Sequence, residues 1–252
     1  MKKTSILSLA LLLLCACQPN ATSETSFQQI RSQFQTPPAE YRTAPLWVWN
    51  TDVTTDDIDR MLLELKQQGF GGAFIHPRPG LVTEYLSDEW FRLWNYSLEK
   101  GEELGLKISI YDENSYPSGF AGGHVPDQMP EPHNQGQALV GQRTRTTPSP
   151  DDCYMCILRT GDEYREITDS LASYAGREGD YYVYRLGYAQ PSSWTGGFPY
   201  VDLLVKGVTE KFIDITMGGY EKALGSALGT KVTMAFSDEP NIGCPIGGHC
   251  RW

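Results

Sequence analysis

Three shortages narrow what this chain can be. Positive charge is scarce: 21 Lys and Arg stand against 31 Asp and Glu, a formal charge of −10. Phosphate backbones demand a basic face, so the balance argues against nucleic acid as a partner. Long apolar runs are absent after the first residues, and a spanning helix needs about 20 apolar residues in a row. Cysteine is sparse, with Cys15, Cys17, Cys153, Cys156, Cys244 and Cys250 the only ones.

The one apolar run that exists is short and sits at the start. Lys2 and Lys3 precede Ile6 to Leu14, and Leu14-Cys15-Ala16-Cys17 follows. A charged opening, an apolar stretch too short to span and a small-residue cleavage site make a signal peptide. The Leu-x-Ala-Cys ending resembles the bacterial lipobox, whose last cysteine, here Cys17, is acylated. The expectation is an exported protein, lipid-anchored to a membrane and facing the periplasm or cell surface; the alternative is ordinary cleavage to a soluble secreted protein. Each buried CH₂ of an acyl chain contributes ~0.8 kcal/mol, so multiple chains hold stably. Residues 18–43 are polar, contain Pro37-Pro38 and read as a linker.

Four cysteines remain after such processing, and export permits disulfides. Cys153 and Cys156 lie three apart in an apparent strand, an offset that points them to opposite faces, so a bond between them needs a turn there. Cys244 and Cys250 bracket a glycine-rich loop they could close. With His249 beside them a zinc site is conceivable, but the spacing is not a standard one, and the metal question stays open.

From residue 45 strands and helices alternate. Leu46 to Trp49 is a short apolar run, and Thr54 or Thr55 caps a helix whose apolar residues Ile58, Met61, Leu62 and Leu65 share one face. Gly71 to Ile75 is a second strand. Ser87 caps a second helix with Trp90, Leu93, Trp94 and Leu98 on its buried stripe, and Gly105 ends it. Leu106 to Tyr111 is the third strand. Residues 115–150 show little periodicity, whereas 153–190 alternate at period two, with Tyr154, Cys156 and Leu158, then Tyr182, Tyr184 and Leu186, and a turn at Thr160-Gly161-Asp162. A helix opening at Thr209, with Phe212, Ile213, Ile215 and Tyr220 as core candidates, leads to a fourth strand over Lys231 to Phe236. Strands and helices in this order predict an α/β fold. The expected form is a partial (β/α)8 TIM barrel of about four strand units over 44–125 and 207–252, with a loop and β-rich insertion over 126–206.

Each of these strands ends in residues able to grip a substrate or move protons: Trp49 and Asn50, His76 and Arg78, Asp112 and Glu113, Asp238 and Glu239. In a barrel the C-terminal strand ends form the active-site face, so these side chains would share one mouth. Two carboxylates flanking a sugar are what glycoside hydrolysis needs, one to protonate the leaving oxygen and one to activate water or attack. Alternation along a strand sends one member of each Asp-Glu pair towards a loop or a helix N-terminus. A bland reading stands beside this one: Asp-Glu after a strand is often a solvated loop or a cap, and His76 a hydrogen-bonded corner. Asp112-Glu113-Asn114 also has the oxygens that Ca²⁺ favours.

The stretches LWVWN, GGAFIHPRPGL with the later YLSDEWF, LGLKISIYDENSYPSGFAGG, and PYVDLL…TEKFIDIT…FSDEP resemble the α-L-rhamnosidase-type glycoside hydrolases, family 106 and its relatives. The resemblance implies an inverting hydrolase of rhamnose-containing or related polysaccharide, with Ca²⁺ as a candidate cofactor, on a TIM barrel with added β domains. It implies Glu113 and Glu239 as catalytic carboxylates and His76, Arg78 and Asp112 as their neighbours in the sugar pocket. Met217-Gly218 stands after Thr216 where the family often has a His-Glu pair. Four strands do not close an eight-stranded barrel, so a truncated catalytic module is expected. A non-catalytic glycan-binding lipoprotein and an inert remnant are the alternatives.

The leader carries its own prediction. Mass spectrometry of the membrane fraction should find an N-terminal peptide beginning at acylated Cys17; a soluble mature protein beginning elsewhere would contradict the lipobox reading.

Overall fold

The computed structural model describes residues 27–242 and the backbone of 249–250. Cys17 and the leader, Cys244, and the side chains of His249 and Cys250 lie outside the described residues.

The expected linker contains a helix, α1 (Phe27–Gln35), none of whose residues is buried. The strand–helix alternation then follows: β1 (Leu46–Trp49), α2 (Thr55–Gln67), β2 (Gly72–Pro77), α3 (Asp88–Leu104) and β3 (Lys107–Tyr111). Local chemistry fixes the helix ends. Thr54 Oγ1 accepts the Asp57 N–H at 3.2 Å while the Asp57 carboxylate accepts the Thr54 N–H, a reciprocal capping box. Ser87 caps α3 through the Trp90 N–H, and Gly105, at φ 69°, takes the left-handed turn that closes it.

After the short helix α4 (His124–Gln128) come β4 (Gln137–Thr146), β5 (Met155–Thr160), β6 (Glu163–Glu166) and β7 (Glu178–Tyr188). The helix α5 (Val208–Leu224) leads to β8 (Ala235–Phe236), and β9 (His249–Cys250) follows. The result is a mixed α/β fold with two sheets. One is parallel, in the order β1-β2-β3-β8; the other is antiparallel, in the order β6-β5-β7-β4-β9.

One face of the parallel sheet is covered by helices. Trp47, Trp49, Ala73, Ile75, Ile108 and Ile110 pack with Ile58 and Leu62 of α2 and with Trp90, Leu93, Trp94 and Leu98 of α3. The other face carries Leu46, Val48, Phe74, His76, Tyr111 and Phe236, and its apolar members are partly bare: Leu46 is 40%, Val48 44% and Phe236 39% exposed. Trp49 therefore belongs to the core and not to a substrate surface. Its ring meets Trp47 and Trp90 edge to face at 5.3 and 5.4 Å.

Three further expectations are corrected. In α5 the buried residues are Val208, Phe212, Thr216, Tyr220 and Leu224, four apart, while Ile213 is 51% exposed because it lies about 100° round the helix from that stripe. The fourth parallel strand is only two residues long; Val232 reaches the core through a bridge with Leu228. In β7 the buried residues are Tyr181 and Val183, the opposite parity from Tyr182 and Tyr184, because that face covers Cys156, Ile167 and Leu171.

Two substitutions test this assignment of faces. Leu62→Ala, in a fully buried position, should cost ~2–5 kcal/mol in chemical denaturation. Ile213→Ala should stay within about 0.5 kcal/mol of the parent.

Candidate functional site

The loop after β3 has almost no regular structure, so its backbone N–H groups need partners from elsewhere. They find them in one side chain. Glu113 is fully buried, and its two oxygens accept from five backbone N–H groups. Asn114 lies at 2.8 Å, Gly119 and Phe120 at 3.0 Å and Ala121 at 2.8 Å, with Gly122 completing the ring. Such convergence needs a backbone that turns left-handed repeatedly: Ala121 has φ 51° and Gly122 φ 62°. At Gly123, φ 106°, a Cβ would stand 2.4 Å from the Phe198 ring. Burial pushes the Glu113 carboxyl upward, while the N–H groups of Asn114, Gly122, Ala121 and Gly119 pull it the other way. All five contacts are donors, which is the surrounding of a carboxylate and leaves no acceptor for a carboxylic proton. With both oxygens filled and no exposed surface, Glu113 anchors the loop after β3.

The loop held this way positions Ser118. The Ser118 hydroxyl donates to Asp112 Oδ1 at 2.5 Å and accepts the Asp238 N–H at 2.8 Å. The Ser118 N–H donates to the Asp238 carbonyl at 2.8 Å, and the Tyr200 hydroxyl donates to the Ser118 carbonyl at 2.7 Å. The loop after β3 and the loop after β8 are thus tied at one serine. Burial raises the Asp112 carboxyl, against hydrogen bonds from Ser118 and Ser237 that lower it. Tyr111 adds a second tie, its phenol 2.5 Å from Asp238 Oδ2 and 2.9 Å from the Ser115 carbonyl. Burial and the Asp238 carboxylate push that phenol upward, so it stays protonated.

At the end of β2 the His76 ring lies on Tyr111, centroids 3.7 Å apart, and its Nε2 accepts from Arg78 Nε. Burial, then the Arg78 charge, pushes His76 down to about 4, with Asp238 opposing. The imidazole is therefore neutral at pH 7, with its proton on Nδ1, a buried atom that has no hydrogen-bond partner among the described residues. His76 is wholly buried; it aims Arg78 and does not itself face the mouth.

Arg78 is half-buried between two rings, Tyr116 at 5.5 Å and Trp194 at 5.3 Å. The two rings meet edge to face at 5.3 Å. No local pattern in the sequence marks either ring. Tyr116 sits in the aperiodic stretch, and Trp194, 43% exposed, comes from the segment after β7, whose return to the parallel sheet no local pattern announces.

The eight expected site residues thus divide. Trp49, His76 and Glu113 are interior, Asp112 nearly so, Arg78 and Asp238 half-buried, and Asn50 and Glu239 exposed. Glu239 follows β8 with φ 43°, an uncommon conformation for a side chain of its size. Calcium does not fit Asp112-Glu113-Asn114, because Ser118 occupies Asp112 Oδ1 and N–H donors fill both Glu113 oxygens. Among the described residues no three His, Cys, Asp or Glu side chains gather as a metal cluster.

No family model matches the chain, and no curated protein matches it. Among solved structures it is similar to the rhamnosidase from Novosphingobium sp. PP1Y, at 23% identity and a TM-score of 0.35, over 47% of this chain and 12% of that one. A likeness that faint says nothing about the chemistry of the site.

The His76 environment predicts an acid limb of stability. An unfolded imidazole takes its proton near 6.5 and this one near 4, so between those values the unfolded chain binds more protons. Stability should fall as pH drops from 6.5 to about 4 on this account. Asp112, raised by burial, acts in the opposite sense, so the informative quantity is the difference from His76→Gln, whose carbonyl still accepts from Arg78. Urea melts across that range should show a shallower decline in the variant; parallel curves would contradict a neutral buried His76.

Proposed function

We propose that the chain carries part of the catalytic barrel of a glycoside hydrolase acting on rhamnose-containing or related polysaccharide. What supports the reading is one arrangement: Arg78 stands between the Tyr116 and Trp194 rings in the loop after one parallel strand, and Asp238 and Glu239 stand in the loop after another. Sugar C–H faces pack on aromatic rings, and guanidinium and carboxylate groups bind hydroxyls. The bare apolar face of the parallel sheet also fits a barrel, whose interior is filled by side chains from further strands.

In this reading Glu239, the exposed carboxylate at the mouth, carries protons. Arg78 and Asp238 grip hydroxyls, while Asp112 and Glu113 hold the loops. The resemblance assigns catalysis to Glu113 and Glu239; of that pair Glu239 is the exposed one and Glu113 the buried one. That burial also favours a second reading, a glycan-binding protein without turnover, which needs the rings and Arg78 but no proton carrier.

Assay of aryl glycosides, an aryl rhamnoside first, should show hydrolysis that falls ~10²–10⁴-fold in Glu239→Gln, the usual worth of general acid–base catalysis. Ile213→Ala should leave it unchanged. Saturable quenching of tryptophan fluorescence by rhamnose-containing oligosaccharides without turnover would favour the binding reading. Neither turnover nor binding across the glycosides tested would overturn both.

A further inference from the structure

Outside the site, two thiols are brought together in the antiparallel sheet. Strand alternation would send Cys153 and Cys156 to opposite faces, but β5 begins only at Met155. Cys153 precedes it, closing a short turn through its N–H to the Pro150 carbonyl at 3.3 Å, and the chain bends at Tyr154. The bend returns Cys153 to the side that Cys156 occupies. Cys156 is fully buried among Ile167, Leu171, Tyr181 and Val183, and Cys153 packs on that same cluster from its half-exposed rim.

Both residues are held firmly. The Cys156 N–H donates to Thr168 Oγ1 at 2.9 Å, the Cys156 carbonyl accepts the Ile167 N–H at 2.9 Å, and the Tyr154 N–H donates to the Tyr184 carbonyl at 2.9 Å. Both thiols therefore belong to one cluster on one side of the sheet. We propose that Cys153 and Cys156 are a disulfide-forming pair, oxidised by exchange with the disulfide of a small-molecule or protein dithiol oxidant.

The two cysteines take different parts. Cys153 is the accessible one; burial raises its thiol, and the Cys156 side chain and the Arg185 charge oppose that rise in part. Burial pushes Cys156 up to about 11, so it holds its proton until the second step. The Cys153 thiolate attacks one donor sulfur; a mixed disulfide forms and the other donor sulfur leaves as a thiol. Cys156, losing its proton, then attacks the Cys153 sulfur and expels the second donor thiol. Two protein thiols are oxidised, one donor disulfide is reduced to two thiols, and the two protons end on the donor. The exported location read from the leader is a compartment where such donors act.

Oxidised glutathione is the probe. The folded chain is incubated with it, quenched in acid, alkylated with N-ethylmaleimide and digested with trypsin, which releases both cysteines in the peptide Thr146–Arg159. That peptide should come out roughly 2 Da lighter, the two hydrogens lost, and unlabelled. Cys156→Ser should trap glutathione on Cys153, because the resolving thiol is gone, whereas Cys153→Ser should leave Cys156 without glutathione. Two maleimide labels on the parent peptide after oxidation would overturn the proposal, as would a cross-link to a peptide carrying Cys244 or Cys250.

Discussion

A carboxylate buried with no cation beside it must be solvated by something, and here five backbone N–H groups do it. Taking an ionised carboxyl out of water costs several kcal/mol even after relaxation. Glu113 recovers that cost from charge-assisted hydrogen bonds, each stronger than a neutral one. The exchange is mutual. Gly119 to Gly122 lie in a loop with few backbone partners of its own, and buried N–H groups left unmade are expensive. Removing either side strands the other, so side chain and loop form one unit.

Much of the candidate site follows from that unit. The loop it shapes puts Ser118 between Asp112 and Asp238, and puts Phe120 and Ala121 into a cluster with Tyr200, Val201, Val208 and Phe212. Through that cluster the segment following β7 and the start of α5 are fixed against the end of the parallel sheet. Trp194 arrives on the same segment and covers Arg78, which the buried, neutral His76 aims. The groups that reach solvent, Arg78, Asp238 and Glu239, are positioned by groups that do not.

The parallel sheet was legible in the sequence because its signals are local. Thr54 and Ser87 cap helices, Gly105 ends one, and the spacing of Trp90, Leu93, Trp94 and Leu98 names a buried stripe. The antiparallel sheet was less so. β4 has Gly141 at its centre and mostly exposed polar residues after it, so neither alternation nor apolar content marks it. Tyr182 and Tyr184 look like a core face, yet the choice of parity depends on where Ile167 and Leu171 return, which is tertiary information. The site shows the same division. Four polar strand ends at one mouth are legible from the strand pattern, and strand alternation turns one member of each Asp-Glu pair into a loop. Which member, and that Glu113 would be wrapped by the glycine-rich segment six to nine residues on, required the folded path of the chain.

The central claim is that the Glu113 carboxylate holds the loop together, and amide hydrogen exchange tests it directly. In the parent protein the amides of Gly119, Phe120, Ala121 and Gly122 should exchange slowly, comparably to those of Ile108 and Ile110 in β3. In Glu113→Gln, whose amide nitrogen turns two donors towards N–H groups, the loop amides should exchange at least ~100-fold faster while the β3 amides keep their protection. Loop amides that exchange freely in the parent, or that stay equally protected in the variant, would contradict the account.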